Sequence, residues 1–144
     1  MSDQLLKLIV AGALLLHGLG HGGAVGALIW IDCWPGTNTG GWLAAHSWLL
    51  PSLAAPTAST VAKVFWVVAL VGFVVAAMSF WGTLLPAELW RPAAIVSAVV
   101  STLGILLFLG NWPAFNTLAA LGVNVAVLVA LLWLDWPPPA LFGN

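Results

Sequence analysis

Tyrosine is missing from this sequence, cysteine occurs once, and charge is scarce: three basic and four acidic residues among 144. Each shortage excludes something. A single Cys33 permits no internal disulfide and no cysteine-based metal knuckle. Charged residues make up 5% of the chain, against about 25% in an ordinary soluble domain. A water-soluble fold needs a polar surface, and so few charges cannot cover one. A net charge of -1 gives no electrostatic footprint for nucleic acid. Carboxylates are also too few for a proton path across a membrane, because Asp32 and Asp135 fall at opposite interfaces.

What is abundant is apolar: hydrophobic residues are 62% of the chain, ten of them Trp, and the mean hydropathy is +1.11. Most of the surface must face lipid. A bilayer core takes about 20 apolar residues per helix. Four such runs predict an all-α, integral membrane four-helix transmembrane bundle in one domain, with spans near 5–31, 59–82, 92–110 and 114–134. Lys7 is the only basic residue of the first run, which is longer than a signal-peptide core and interrupted by His and Gly, so it is expected to stay as a helix. Pro92 suits a first helical turn, and Pro137, Pro138 and Pro139 end the fourth run. Asn111-Trp112-Pro113 predicts a tight turn. The long loop 33–57 contains Gly41 to Leu50, a candidate short interfacial helix. Glu88 and Arg91 are spaced for a solvated contact over one helical turn.

Tryptophans form two belts, Trp30, Trp34, Trp42, Trp48 and Trp112 at one boundary and Trp81, Trp90, Trp133 and Trp136 at the other, with Trp66 alone lying deeper. Four spans put both termini on one side. Lys7 and Arg91 share that side and Lys63 does not, which predicts cytoplasmic termini.

The first span carries His17-Gly18-Leu19-Gly20-His21-Gly22-Gly23-Ala24-Val25-Gly26. Gly18, Gly22 and Gly26 recur every four residues and make a stripe on which another helix can approach closely, from this bundle, a second copy or another subunit. His17 and His21 share a face beside it. At about 1.5 Å per residue His17 stands about 18 Å from Leu5, near mid-bilayer. Ser101 and Asn124 are central in the third and fourth spans, so the four polar residues lie at similar depth. A polar group facing lipid costs several kcal/mol. All four are therefore expected to turn inward and bond to one another.

These residues admit several chemistries. Two His at i and i+4 can reach one metal ion, but a catalytic zinc usually takes three protein ligands, and His46 supplies the third only if its loop folds deeply inward. Two His on one helix face cannot ligate opposite faces of one haem, and Met78 lies some 12 Å out of level with His17. A five-coordinate haem or chlorin, or one shared between copies, stays open. A quinone needs little more than an apolar slot and one or two hydrogen-bond donors. The structural alternative is that the histidines simply tie the first helix to Ser101 or Asn124.

The run Leu14-Leu15-Leu16-His17-Gly18-Leu19-Gly20-His21 resembles a group of uncharacterised small bacterial four-span membrane proteins with a Leu-His-Gly-x-x-His motif in the first helix. The layout, a longer first loop and then three closely spaced helices, is also similar to DoxX-like membrane proteins, some of which accompany quinol oxidases. The resemblance implies a bacterial cytoplasmic membrane and carries no established activity. Three readings follow for the lipid-embedded chain. One is a non-catalytic accessory or structural subunit of a membrane complex or homo-oligomer. Another is a membrane binding protein that uses His17 and His21, with Ser101 and Asn124, to hold a metal, a tetrapyrrole or a quinone. The last is an enzyme of lipid or quinone chemistry, for which no in-membrane acid or nucleophile pairs with the histidines.

Overall fold

A computed structural model describes residues 2–82 and 84–138. They form the expected four-helix bundle, and all four helices are long and apolar enough to cross a membrane. Helix α1 (Asp3–Cys33) opens on Ser2, whose Oγ accepts the Leu5 N–H at 3.3 Å, with Asp3 favourably placed in the first turn. Helix α2 (Ala55–Trp81) takes Pro56 in its first turn and stops at Gly82, whose φ of 79° is a left-handed cap that returns its N–H to the last turn. Helix α3 (Trp90–Leu107) follows a single 3₁₀ turn at Ala87–Leu89. Helix α4 (Ala114–Leu132) follows the tight turn at Asn111-Trp112-Pro113.

Close neighbours run in chain order: α1 on α2, α2 on α3, α3 on α4, with no comparable interface between α1 and α4. Glycines set how near these pairs come. A Cβ added at Gly18 would stand 3.0 Å from Phe73 Cβ and 3.3 Å from the Leu70 carbonyl oxygen, and one at Gly104 would stand 2.9 Å from Phe65 Cβ. Two members of the glycine stripe are thus taken up inside the chain, Gly18 and Gly22 both meeting α2, while a Cβ at Gly26 would touch nothing within 4 Å.

The apolar core is in two parts. Near the termini, Ala11, Leu14, Phe73, Phe80, Trp90 and Leu131 belong to one cluster. At the loop end, Leu28, Trp66, Ile105, Phe108 and Trp112 belong to another. The polar residues of α1, α3 and α4 fall between them.

Helices α1 and α2 have 31 and 27 residues, α3 and α4 only 18 and 19. The longer pair overshoots, and their loop folds back over the end of α3. It contains no helix between Gly41 and Leu50, contrary to the sequence reading. Its polar groups serve α3 instead. Ser47 Oγ donates to the Leu107 carbonyl at 2.9 Å and Trp48 Nε1 to that of Leu106 at 2.7 Å. Asn111 Nδ2 donates to the His46 carbonyl at 2.5 Å, and the Leu43 N–H to that of Asn111 at 2.8 Å. A local interfacial helix would have left the last carbonyls of α3 without donors.

Arg91 does not turn to Glu88 as its spacing suggested. It donates to Asp135 Oδ1 at 2.5 Å and to the Leu131 carbonyl, tying the start of α3 to the end of α4. At the other end of the bundle, Asp32 accepts from Lys63 Nζ and from Ser59 Oγ, each at 2.7 Å. Both ion-pair partners are partly exposed, so Asp32→Asn should cost less than about 1 kcal/mol in thermal unfolding of the detergent-solubilised protein. The belts hold for Trp30, Trp34, Trp48, Trp81, Trp133 and Trp136, which are exposed. Trp90 and Trp112 leave them: Trp90 packs on Phe80, and Trp112 turns onto Trp66.

Candidate functional site

The four polar residues placed at one depth by the sequence meet in a single hydrogen-bonded chain. His17 Nε2 lies 2.9 Å from Asn124 Oδ1. Asn124 Nδ2 donates to Ser101 Oγ at 2.8 Å, and Ser101 Oγ lies 3.0 Å from His21 Nε2. Ser101 and Asn124 are wholly buried, His21 nearly so and His17 half-buried. The stagger of four residues in α1 puts one imidazole on α4 and the other on α3.

For neutral imidazoles this chain fixes the ring protons. Asn124 Oδ1 can only accept, so His17 donates from Nε2. Asn124 then donates to Ser101, and Ser101 donates its hydroxyl proton to a bare His21 Nε2. His21 is left with Nδ1–H and His17 with an unprotonated Nδ1. A half-turn of the Asn124 amide reverses all three bonds and exchanges the two roles. In either sense the pair offers one N–H donor and one lone pair beyond the network.

Aromatic rings hold the imidazoles in place, and α2 supplies them. Trp66 stacks on His21 with centroids 5.3 Å apart and an interplanar angle of 7°. Phe73 meets His17 edge-on at 4.6 Å. The two imidazoles themselves are 4.8 Å apart in a T-shaped contact. With no polar group at its centre, α2 carried no sign that it would wall the site.

Both histidines border a cavity of about 220 Å³ between α1 and α4. Trp66, Ile105 and Trp112 form its inner wall, and Trp42 reaches it from the loop. Among the described residues, the buried polar side-chain atoms without a hydrogen-bond partner are Trp66 Nε1, Trp112 Nε1 and Ser79 Oγ. Trp66 and Trp112 line the cavity with other parts of their rings, and their indole nitrogens are themselves covered and do not open onto it.

The other ligand types lie elsewhere. His46 and Cys33 are exposed, and neither borders the cavity. Among the described residues no three of His, Cys, Asp and Glu come together as a metal site would need. Comparison of the chain with protein-family models, curated proteins and solved structures finds no match. The geometry of the cavity therefore carries the functional argument.

Trp112, Trp66 and the α4 face through Ala119, Ala120 and Val123 are the parts of the site that sequence reasoning missed. Trp112 had a usable signal, since it adjoins Pro113 in a turn and need not point to the membrane surface. The small α4 residues had none.

Proposed function

We propose that this chain is a membrane binding protein whose cavity receives the ring of a quinone or a closely related single-ring carbonyl compound. The observation that carries this reading is the pairing of a ring-sized, largely apolar cavity with two bordering imidazoles, each of which keeps one ring nitrogen outside the hydrogen-bonded chain. A cavity of about 150 Å³ takes one benzene ring, while pockets for drug-sized ligands run to about 300–1,000 Å³. At about 220 Å³ the space suits one substituted ring, whereas a tetrapyrrole would extend well beyond it into the lipid. The imidazole pair offers one donor and one acceptor, which suits both a quinone and its hydroxyl-bearing reduced form.

The metal alternative has less support, since the Nε2 atoms of His17 and His21 are already engaged with Asn124 and Ser101. The accessory-subunit alternative loses part of its motive, because Gly18 and Gly22 pack within the chain. The resemblance of the His17–His21 run to small bacterial membrane proteins supports a place in a bacterial cytoplasmic membrane. Lys7 and Arg91 on the terminal side support termini facing the cytoplasm.

Native mass spectrometry of protein gently extracted from its own membrane tests the reading. A quinone mass should be retained by the wild type and lost from His17→Ala/His21→Ala, with helicity by circular dichroism unchanged. Retention by the double variant, or retention of a metal or haem mass in its place, would overturn it.

A further inference from the structure

The cavity is walled on three sides and open on the fourth. Trp66 of α2 and Ile105 of α3 close its back, and Trp42 and Trp112 close it toward the loop. Its remaining side is the seam between α1 and α4, helices that share no interface comparable to those of the other neighbours. The His17–Asn124 hydrogen bond bridges them at the deep end of the seam. Beyond that bond, α1 presents Leu16, Gly20 and Ala24 along one face, and α4 presents Phe115, Ala119 and Val123. Each set extends over eight residue steps, or about 12 Å of helix. Leu16 and Phe115 are 71% and 82% exposed, which in a membrane means exposed to lipid. A Cβ added at Gly20 would meet nothing within 4 Å. The seam is a slot between apolar side chains, small at Gly20, Ala24 and Ala119, leading sideways from the cavity into the bilayer.

Resting on the assignment of the cavity to a quinone ring, we infer that the ligand is a tailed, membrane-dissolved quinone whose hydrocarbon chain lies in the α1–α4 seam and continues into the lipid, with Gly20 and Ala119 as the residues that admit it. Any tail needs an exit, because one substituted ring fills the cavity. A tail that leaves between Gly20 and Ala119 meets apolar side chains and acyl chains, while the polar lining residues Asn116 and Thr117 lie nearer the loop end of α4. Polar recognition is confined to the ring, inside the bundle.

The test compares a dimethoxy-methyl-benzoquinone without a tail and its decyl-tailed analogue, bound to full-length protein in nanodiscs and read by native mass spectrometry. Ala119→Trp should narrow the slot. It is expected to weaken the decyl-tailed compound at least tenfold and the tail-less one by no more than about threefold. Leu118→Trp, one residue away and 69% exposed on α4, should affect neither. Equal effects of Ala119→Trp on both compounds, or none on either, would overturn the seam as the tail's path while leaving the cavity as the ring site. Retention of a phospholipid that the decyl-tailed compound does not displace would overturn it as well. Failure of wild type to bind either compound would overturn the ring assignment itself.

Discussion

Asn124→Leu should keep the helices assembled and abolish ligand retention. Leucine has the branched shape of asparagine with somewhat bulkier methyl ends, so the wholly buried position stays filled. What disappears is the link that His17 and Ser101 share, at 2.9 and 2.8 Å. Each such bond contributes about 0.6 kcal/mol on average in a membrane protein, up to about 1.7 kcal/mol, so the loss of both should reduce stability by roughly 1–3 kcal/mol. That loss is measurable as a lower midpoint in SDS-induced unfolding monitored by circular dichroism. Binding should suffer more. Without Asn124 the two imidazoles no longer take opposite protonation patterns, and His17 loses the bond that positions it at the deep end of the cavity. Native mass spectrometry should find quinone occupancy reduced at least tenfold. Occupancy equal to wild type would show that the hydrogen-bonded chain is only a helix tie.

The second large effect belongs to Trp66, and two substitutions there should act oppositely. Trp66 is 2% exposed, stacks on His21, and meets Trp112 edge-on at 4.8 Å. Trp66→Ala removes a core side chain and should cost about 3–5 kcal/mol, with loss of both stability and binding. Trp66→Phe keeps a ring against His21 but removes the unpartnered Nε1–H. An unsatisfied buried donor carries a cost of about 1–3 kcal/mol. The phenylalanine variant without ligand should therefore unfold at or above the wild-type midpoint, yet gain less stability when quinone is added, because the smaller ring covers less of the cavity wall. Thermal unfolding with and without the decyl-tailed quinone measures both effects. A ligand-induced shift as large as that of wild type would remove Trp66 from the ring's contacts.

The elements that could be read from the sequence are those fixed by the cost of exposing polarity to lipid. His17, His21, Ser101 and Asn124 had one inexpensive arrangement, and the structure connects all four. The helices were legible for the same reason, with ends displaced by a few residues at Asp3, Ala55, Trp90 and Leu107. Features that depend on which apolar surface meets which were not legible. Trp66 and Phe73 look like ordinary membrane-helix residues until α1 is laid on α2. Gly72 sits so close to Ser97 that a Cβ would stand 2.0 Å from its Oγ, a fit that no spacing announces. The Gly18, Gly22 and Gly26 pattern signalled a close approach but not its partner. Arg91 could have paired with Glu88 one turn away, and only the convergence of α3 and α4 brings Asp135 to it.

The fold-back of the first loop has a consequence for how the chain is made. Synthesis proceeds from the N-terminus, so α1, the loop and α2 leave the ribosome before α3 exists. Yet Ser47 and Trp48 find their acceptors 60 and 58 residues later in the chain. The earliest hairpin is thus the last to be finished: its loop must wait, hydrated at the membrane surface, until the end of α3 has crossed to meet it. A nascent chain halted after α2 should expose that loop to protease, and a completed one should conceal it.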